Sequence, residues 1–176
     1  MAESYELDPV DWISAGAVGE PGARTFYLQA RKGSEYVALL VEKAQVAALA
    51  QLSQQLLATA GVTVQPDDLD EATQRLVEPV VPAWRAGSIS IGSDEAAERF
   101  LLEAEELADP DADEDVEGGV ARFWMAREHL VALAAHAAYA VEAGARERCR
   151  LCNRPIDPVS GHVCPASNGH GPLTVG

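Results

Sequence analysis

The chain has 176 residues and a formal net charge of −15, with 48% of its residues hydrophobic and 23% charged. That length supports one well-buried core, or one core plus a small appended module, and the composition excludes wholesale disorder. So negative a chain also disfavours non-specific attraction to nucleic acid or anionic membrane; a protein partner would present a neutral or basic surface.

The first residues, Met1 to Glu6, lack the basic and apolar regions of a signal peptide. The longest apolar candidate, around 130–143, is broken by His136 and Glu142, so no membrane span is expected. All three cysteines cluster near His162, which reads as a ligand set in a reducing compartment, not a disulfide frame. A cytoplasmic protein is the expectation.

Two stretches of the chain resemble each other. The first copy, about 10–61, runs from Trp12 through Val18, then Thr25 to Ala30, Val37 to Val41 and a helical pattern. The second, about 83–144, runs from Trp84 through Ile91, then Arg99 to Ala104, Ala121 to Met125 and another helical pattern. Both read strand, turn, strand, loop, strand, helix, and such self-similarity outranks local propensity.

In the first copy, Gly19, Pro21 and Gly22 supply turn chemistry. Arg24 beside them is either an anion hook or an ordinary surface arginine. Val46, Leu49, Leu52, Leu56 and Ala60 then recur at helical spacing until Gly61. The linker, 62–82, holds Pro66, Pro79 and Pro82 around a helix-like polar stretch from Asp67 to Leu76.

The second copy decides an ambiguous segment. Residues 95–107 are good helix formers, but Phe100, Leu102 and Ala104 align with Phe26, Leu28 and Ala30 as an every-second-residue inward face. The segment therefore reads as a strand, with Gly92 to Glu95 as its hairpin turn. Nine carboxylates between 103 and 117 read as a solvated acidic loop. Asp109, Asp111, Asp113 and Asp115 mimic a calcium loop, but Glu114 and Val120 stand where its Gly and bidentate Glu belong. The last helical pattern carries Leu130, Leu133, Ala137 and Val141, with Gly144 as its stop and His129 and His136 as boundary residues on one face.

The sharp chemical signal is Cys149 and Cys152, then His162 and Cys164. A Cys-x2-Cys hook lets two thiolates face one ion. His162 and Cys164, two apart, point the same way from an extended strand. Three thiolates and one imidazole suit Zn²⁺ and close a tetrahedron, which is a structural arrangement. His170 is a spare imidazole that could substitute.

The expected fold is therefore α+β. Two strand-strand-strand-helix units form an antiparallel sheet with both helices on one face. A duplicated body spans 1–145, a zinc knuckle 146–170 and a disordered tail 171–176.

Residues 16–30, 122–127 and 136–138, with Cys149, Cys152, 161–165, Asn168 and Gly169, together resemble domain-of-unknown-function family 3090. This is an actinobacterial family of about this length, and the likeness covers nearly the whole chain. It implies an actinobacterial, cytoplasmic origin and brings no activity, substrate or catalytic residue. The family's terminal ligand set falls on Cys149, Cys152, His162 and Cys164.

No nucleophile elbow, phosphate loop or dinucleotide fingerprint is present in the sequence. The leading expectation is a non-enzymatic, zinc-binding scaffold or binding module with a protein partner. One alternative is an enzyme acting on a small anionic substrate between the two copies. Arg24, Arg99 or Arg127 would clamp the anion, and Glu128, His129 or His136 would move the proton. Another is nucleic-acid binding through Arg146, Arg148, Arg150 and Arg154 around the knuckle.

Overall fold

Apolar residues on every second position build the strands. The computed structural model describes residues 3–20, 22–70, 75–96, 98–111, 117–143, 149–152, 154, 156 and 161–166. In chain order the elements are β1 (Tyr5–Leu7), β2 (Trp12–Val18), β3 (Thr25–Lys32), β4 (Glu35–Val41), α1 (Lys43–Thr59) and a 3₁₀ turn (Pro66–Asp68). There follow β5 (Trp84–Asp94), β6 (Arg99–Glu106), β7 (Val120–Met125) and α2 (Arg127–Ala143). The strands form one seven-stranded sheet in the order β1-β7-β6-β5-β4-β3-β2.

The α+β architecture and the two units are as expected. Pairing is antiparallel within each unit, β2-β3-β4 and β5-β6-β7. At the seam β4 pairs with β5 in parallel, Leu39 opposite Trp84, so the sheet is mixed, not purely antiparallel. A crossover through a helix forces this, because α1 returns the chain to the end where β4 began. β1, absent from the sequence reading, pairs in parallel with β7.

The sheet curls until its two ends share a corner. The Val10 N–H donates to the Trp124 carbonyl on β7 at 2.8 Å, and the next N–H, of Asp11, donates to the Arg31 carbonyl on β3 at 2.8 Å. Arg99 fastens this corner: its guanidinium donates to both Asp8 carboxylate oxygens at 2.9 and 3.1 Å and lies 4.0 Å from the Trp124 ring centroid.

Phe26, Leu28 and Ala30 are buried, as are Phe100, Leu102 and Ala104, so the internal alignment placed both inward faces correctly. One apolar cluster runs through both units and both helices. The helices are exchanged: besides packing on each other, α1 lies on β5 of the second unit and α2 on β2 of the first.

Several local expectations change. The hairpin does not turn at 92–95: Ser93 pairs with Phe100 and Asp94 with Arg99, so the strands stay paired through Asp94, and Glu98 takes the left-handed conformation at φ 51°. The linker's described part holds a 3₁₀ turn, Pro66–Asp68, while residues 71–74 of the expected helix-like stretch lie outside the described residues. On α1 the buried stripe is Val46, Leu49, Ala50, Ser53 and Leu57, while Leu52 is 43% exposed. Glu103, Glu105 and Glu106 sit on β6 instead of in a loop, and Glu103 pairs with Arg122 at 2.6 Å. Asp113, Asp115, Gly144 and the tail 171–176 lie outside the described residues. Among the described residues no helix is long and apolar enough to cross a membrane.

Candidate metal centre

The hook is closed by its own backbone. The Cys149 N–H donates to the Arg154 carbonyl at 2.8 Å, folding the chain back so that Cys149 and Cys152 face inward together. Gly161 sits at φ 68°, a turn conformation that a side chain would strain, and it delivers His162 and Cys164 to the same point. Cys149, Ile156 and Cys164 are buried in a small apolar cluster of their own, with Cys152 packed against it.

The four ligand atoms of Cys149, Cys152, His162 and Cys164 all lie within 4.8 Å of one another. Cys149 Sγ and Cys164 Sγ are 3.6 Å apart, and Cys152 Sγ is 3.0 Å from His162 Nε2. A tetrahedron with metal–sulfur bonds of about 2.3 Å has sulfur–sulfur edges of roughly 3.8 Å. The observed sulfur pair matches such an edge. Three sulfurs and an imidazole nitrogen at this spacing could hold a metal ion.

Electrostatics favour a thiolate here. The Cys152 backbone N–H, with smaller help from Leu151, Cys164 and His162, lowers the Cys149 thiol to about 6 against the opposing effect of burial. Cys164 is pushed up, chiefly by burial and also by contact with Cys149 and Cys152. Adjacent buried sulfurs resist ionising together, and a cation between them removes that conflict. His170, Arg146 and Arg148 lie outside the described residues, while Arg150 and Arg154 are exposed.

The other sequence-named residues do not assemble into one site. Arg24 lines a cavity with Arg75 and Glu78, whereas Arg99 and Arg127 line a separate one. His136 is no boundary residue: it is fully buried, and its Nδ1 is hydrogen-bonded to Ser14 Oγ at 3.1 Å. Its Nε2 is buried without a partner, and burial pushes its pKa down. His129 is half-buried and Glu128 exposed. Two residues escaped sequence reasoning. Ser14 lies on the face of β2 opposite Ile13 and Ala15, and alternation alone gives no reason to single it out. Arg75 lies in the linker, where no periodicity singles it out.

Comparison with known proteins finds no match among curated proteins and none among solved structures. The model of the family described as Protein of unknown function (DUF3090) matches residues 5–164, sheet, helices and all four candidate ligands included, and the chain belongs to that family.

Proposed function

We propose that Cys149, Cys152, His162 and Cys164 bind one Zn²⁺ as a closed structural site, and that the protein is a binding or scaffold module with a protein partner. The convergence of the four ligand atoms within 4.8 Å carries this reading. Zn²⁺ fits a mixed sulfur–nitrogen set, has no redox chemistry, and in sites with four protein ligands serves to hold a fold. The ion would do here what a large core does elsewhere: a segment whose apolar cluster, among the described residues, consists of Cys149, Ile156, Cys164 and the adjoining Cys152 needs a staple.

The proposed division is a body over 1–145 and a knuckle over 146–170. The thiolates imply a reducing, cytoplasmic setting. The charge of −15 favours a neutral or basic protein surface over nucleic acid as the partner. Replacing the bound metal with Co²⁺ tests the closed site. Intense visible bands of a tetrahedral, thiolate-rich ion are expected; the weak spectrum of an octahedral, water-bearing ion would overturn it. A turnover abolished by one polar substitution in the body, with folding intact, would overturn the non-enzymatic reading.

A further inference from the structure

The exchange of helices creates two related cavities. One lies where the end of α1 meets the β5–β6 hairpin, lined by Thr59, Ala60, Asp94, Glu98, Arg99 and Arg127 among others. The other lies where the end of α2 meets the β2–β3 hairpin, with a volume of about 220 Å³ and a wall that includes Gly16, Val18, Arg24, Arg75, Glu78 and Tyr139.

Their charges have diverged. In the first cavity, Asp94, Glu95 and Glu98 outnumber the cations, and Arg99 is committed to Asp8. In the second, two guanidinium groups face one carboxylate, in a chain where 28 acidic residues outnumber 13 basic ones. Neither Arg24 nor Arg75 forms a hydrogen bond or ion pair within the described residues. The Nε atoms of Arg24, Arg31 and Arg99 are all buried without a partner, but Arg31 and Arg99 donate through another nitrogen to Tyr36 and Asp8. Arg24 alone among these three donates to nothing. Arg24 is half-buried, and its Nε, shielded from water without a partner, calls for an acceptor that reaches the cavity; a tetrahedral oxyanion matches the guanidinium fork.

The far wall is held in place. Gln29 of β3 accepts from the Val77 N–H at 2.7 Å and donates back to the Val77 carbonyl at 3.3 Å, clamping the segment that carries Arg75, Leu76 and Glu78. Leu76 lies over Gly16 so closely that an added Cβ would come within 2.9 Å of its Cγ.

We propose that this cavity binds a small oxyanion of the phosphate class, gripped by Arg24 and Arg75. The volume exceeds what a bare phosphate fills, so the phosphate group of a small ester fits as well as the free ion. The rival role for the arginines is to neutralise the carbonyl end of α2, whose last turn carries no basic residue and whose Tyr139, Ala140 and Ala143 line the wall.

The test titrates the full-length protein with inorganic phosphate and with glycerol 3-phosphate, using chloride at matched ionic strength as the control. Binding is read by calorimetry and by backbone amide NMR shifts. Saturable binding is expected, with shifts centred on 16–18, 24–25, 75–78 and 139–143. Tighter binding of the ester marks an organic phosphate as the occupant; equal binding marks the free ion. Arg24→Gln and Arg75→Gln should each weaken binding at least about tenfold, the scale of one charged hydrogen bond, while Arg127→Gln in the sister cavity leaves it unchanged. No saturable response beyond chloride would show that the arginines serve only the helix end. Shifts in the wild type that map elsewhere would also overturn the proposal, even if neither variant folds.

Discussion

At His136 the burial of a single side chain makes stability depend on pH. Its imidazole is fully buried, and desolvation lowers its pKa; the carboxylate of Asp70, on the chain following the 3₁₀ turn, acts more weakly in the opposite direction. The unfolded chain, with an ordinary histidine near pH ~6.5, therefore takes up the proton first. Stability from this group is complete above that value and is lost as pH falls below it. His136→Gln, which cannot titrate but can still bond Ser14, should flatten the fall of melting temperature between about pH 6.5 and pH 5 relative to wild type. An unchanged slope would show that other groups set it. Gly87 is constrained differently. An added Cβ would come 2.9 Å from the Leu107 Cα, and Leu107 cannot retreat because its N–H donates to the Arg85 carbonyl at 2.7 Å. Gly87→Ala should cost about 1–3 kcal/mol in denaturant unfolding, and a loss below about 0.5 kcal/mol would contradict that fit.

At the scale of elements, Gln45 ties a helix start to a strand irregularity. Its Oε1 accepts from the Glu42 N–H at 2.8 Å, and its Nε2 donates to the Ala86 and Gly87 carbonyls at 3.2 Å each. Those carbonyls lie at the register shift between Ala86 and Ser88 in β5, where Gly87 has no register partner on β6. Gln45→Ala should destabilise by about 1–2 kcal/mol, measured as a shift in denaturation midpoint at constant slope. The elements themselves were largely legible in the residues. β6 is the instructive case, since its composition favours helix and only its likeness to β3 identifies it as a strand. What escaped had physical causes. β1 is three residues long and owes its existence to pairing with β7. Leu52 looked like core, yet the helix turns Ser53 inward, a rotation that the neighbours decide and propensity does not. The parallel seam depends on where α1 returns the chain, which no local pattern encodes.

Across the molecule, the described residues form two separate apolar clusters, one shared by the sheet and both helices and one at the cysteines. They have no residue in common, so the second can lose its order without dissolving the first. The four candidate ligands were legible because the chemistry is local: Cys149 and Cys152 lie in one turn, and His162 and Cys164 on one short extended stretch. The oxyanion cavity was half-legible, since Arg24 drew notice in its turn while Arg75 reaches it only through the fold. Cys152→Ser should expose the chain after about residue 146 to proteolysis while moving the body's unfolding free energy by less than about 0.5 kcal/mol. Loss of the whole cooperative transition would place the seam elsewhere. Elemental analysis of protein purified from zinc-replete cells without chelator tests the central claim most directly. One zinc per chain is predicted, falling to none in Cys152→Ser; a folded wild-type protein carrying no bound metal would contradict it.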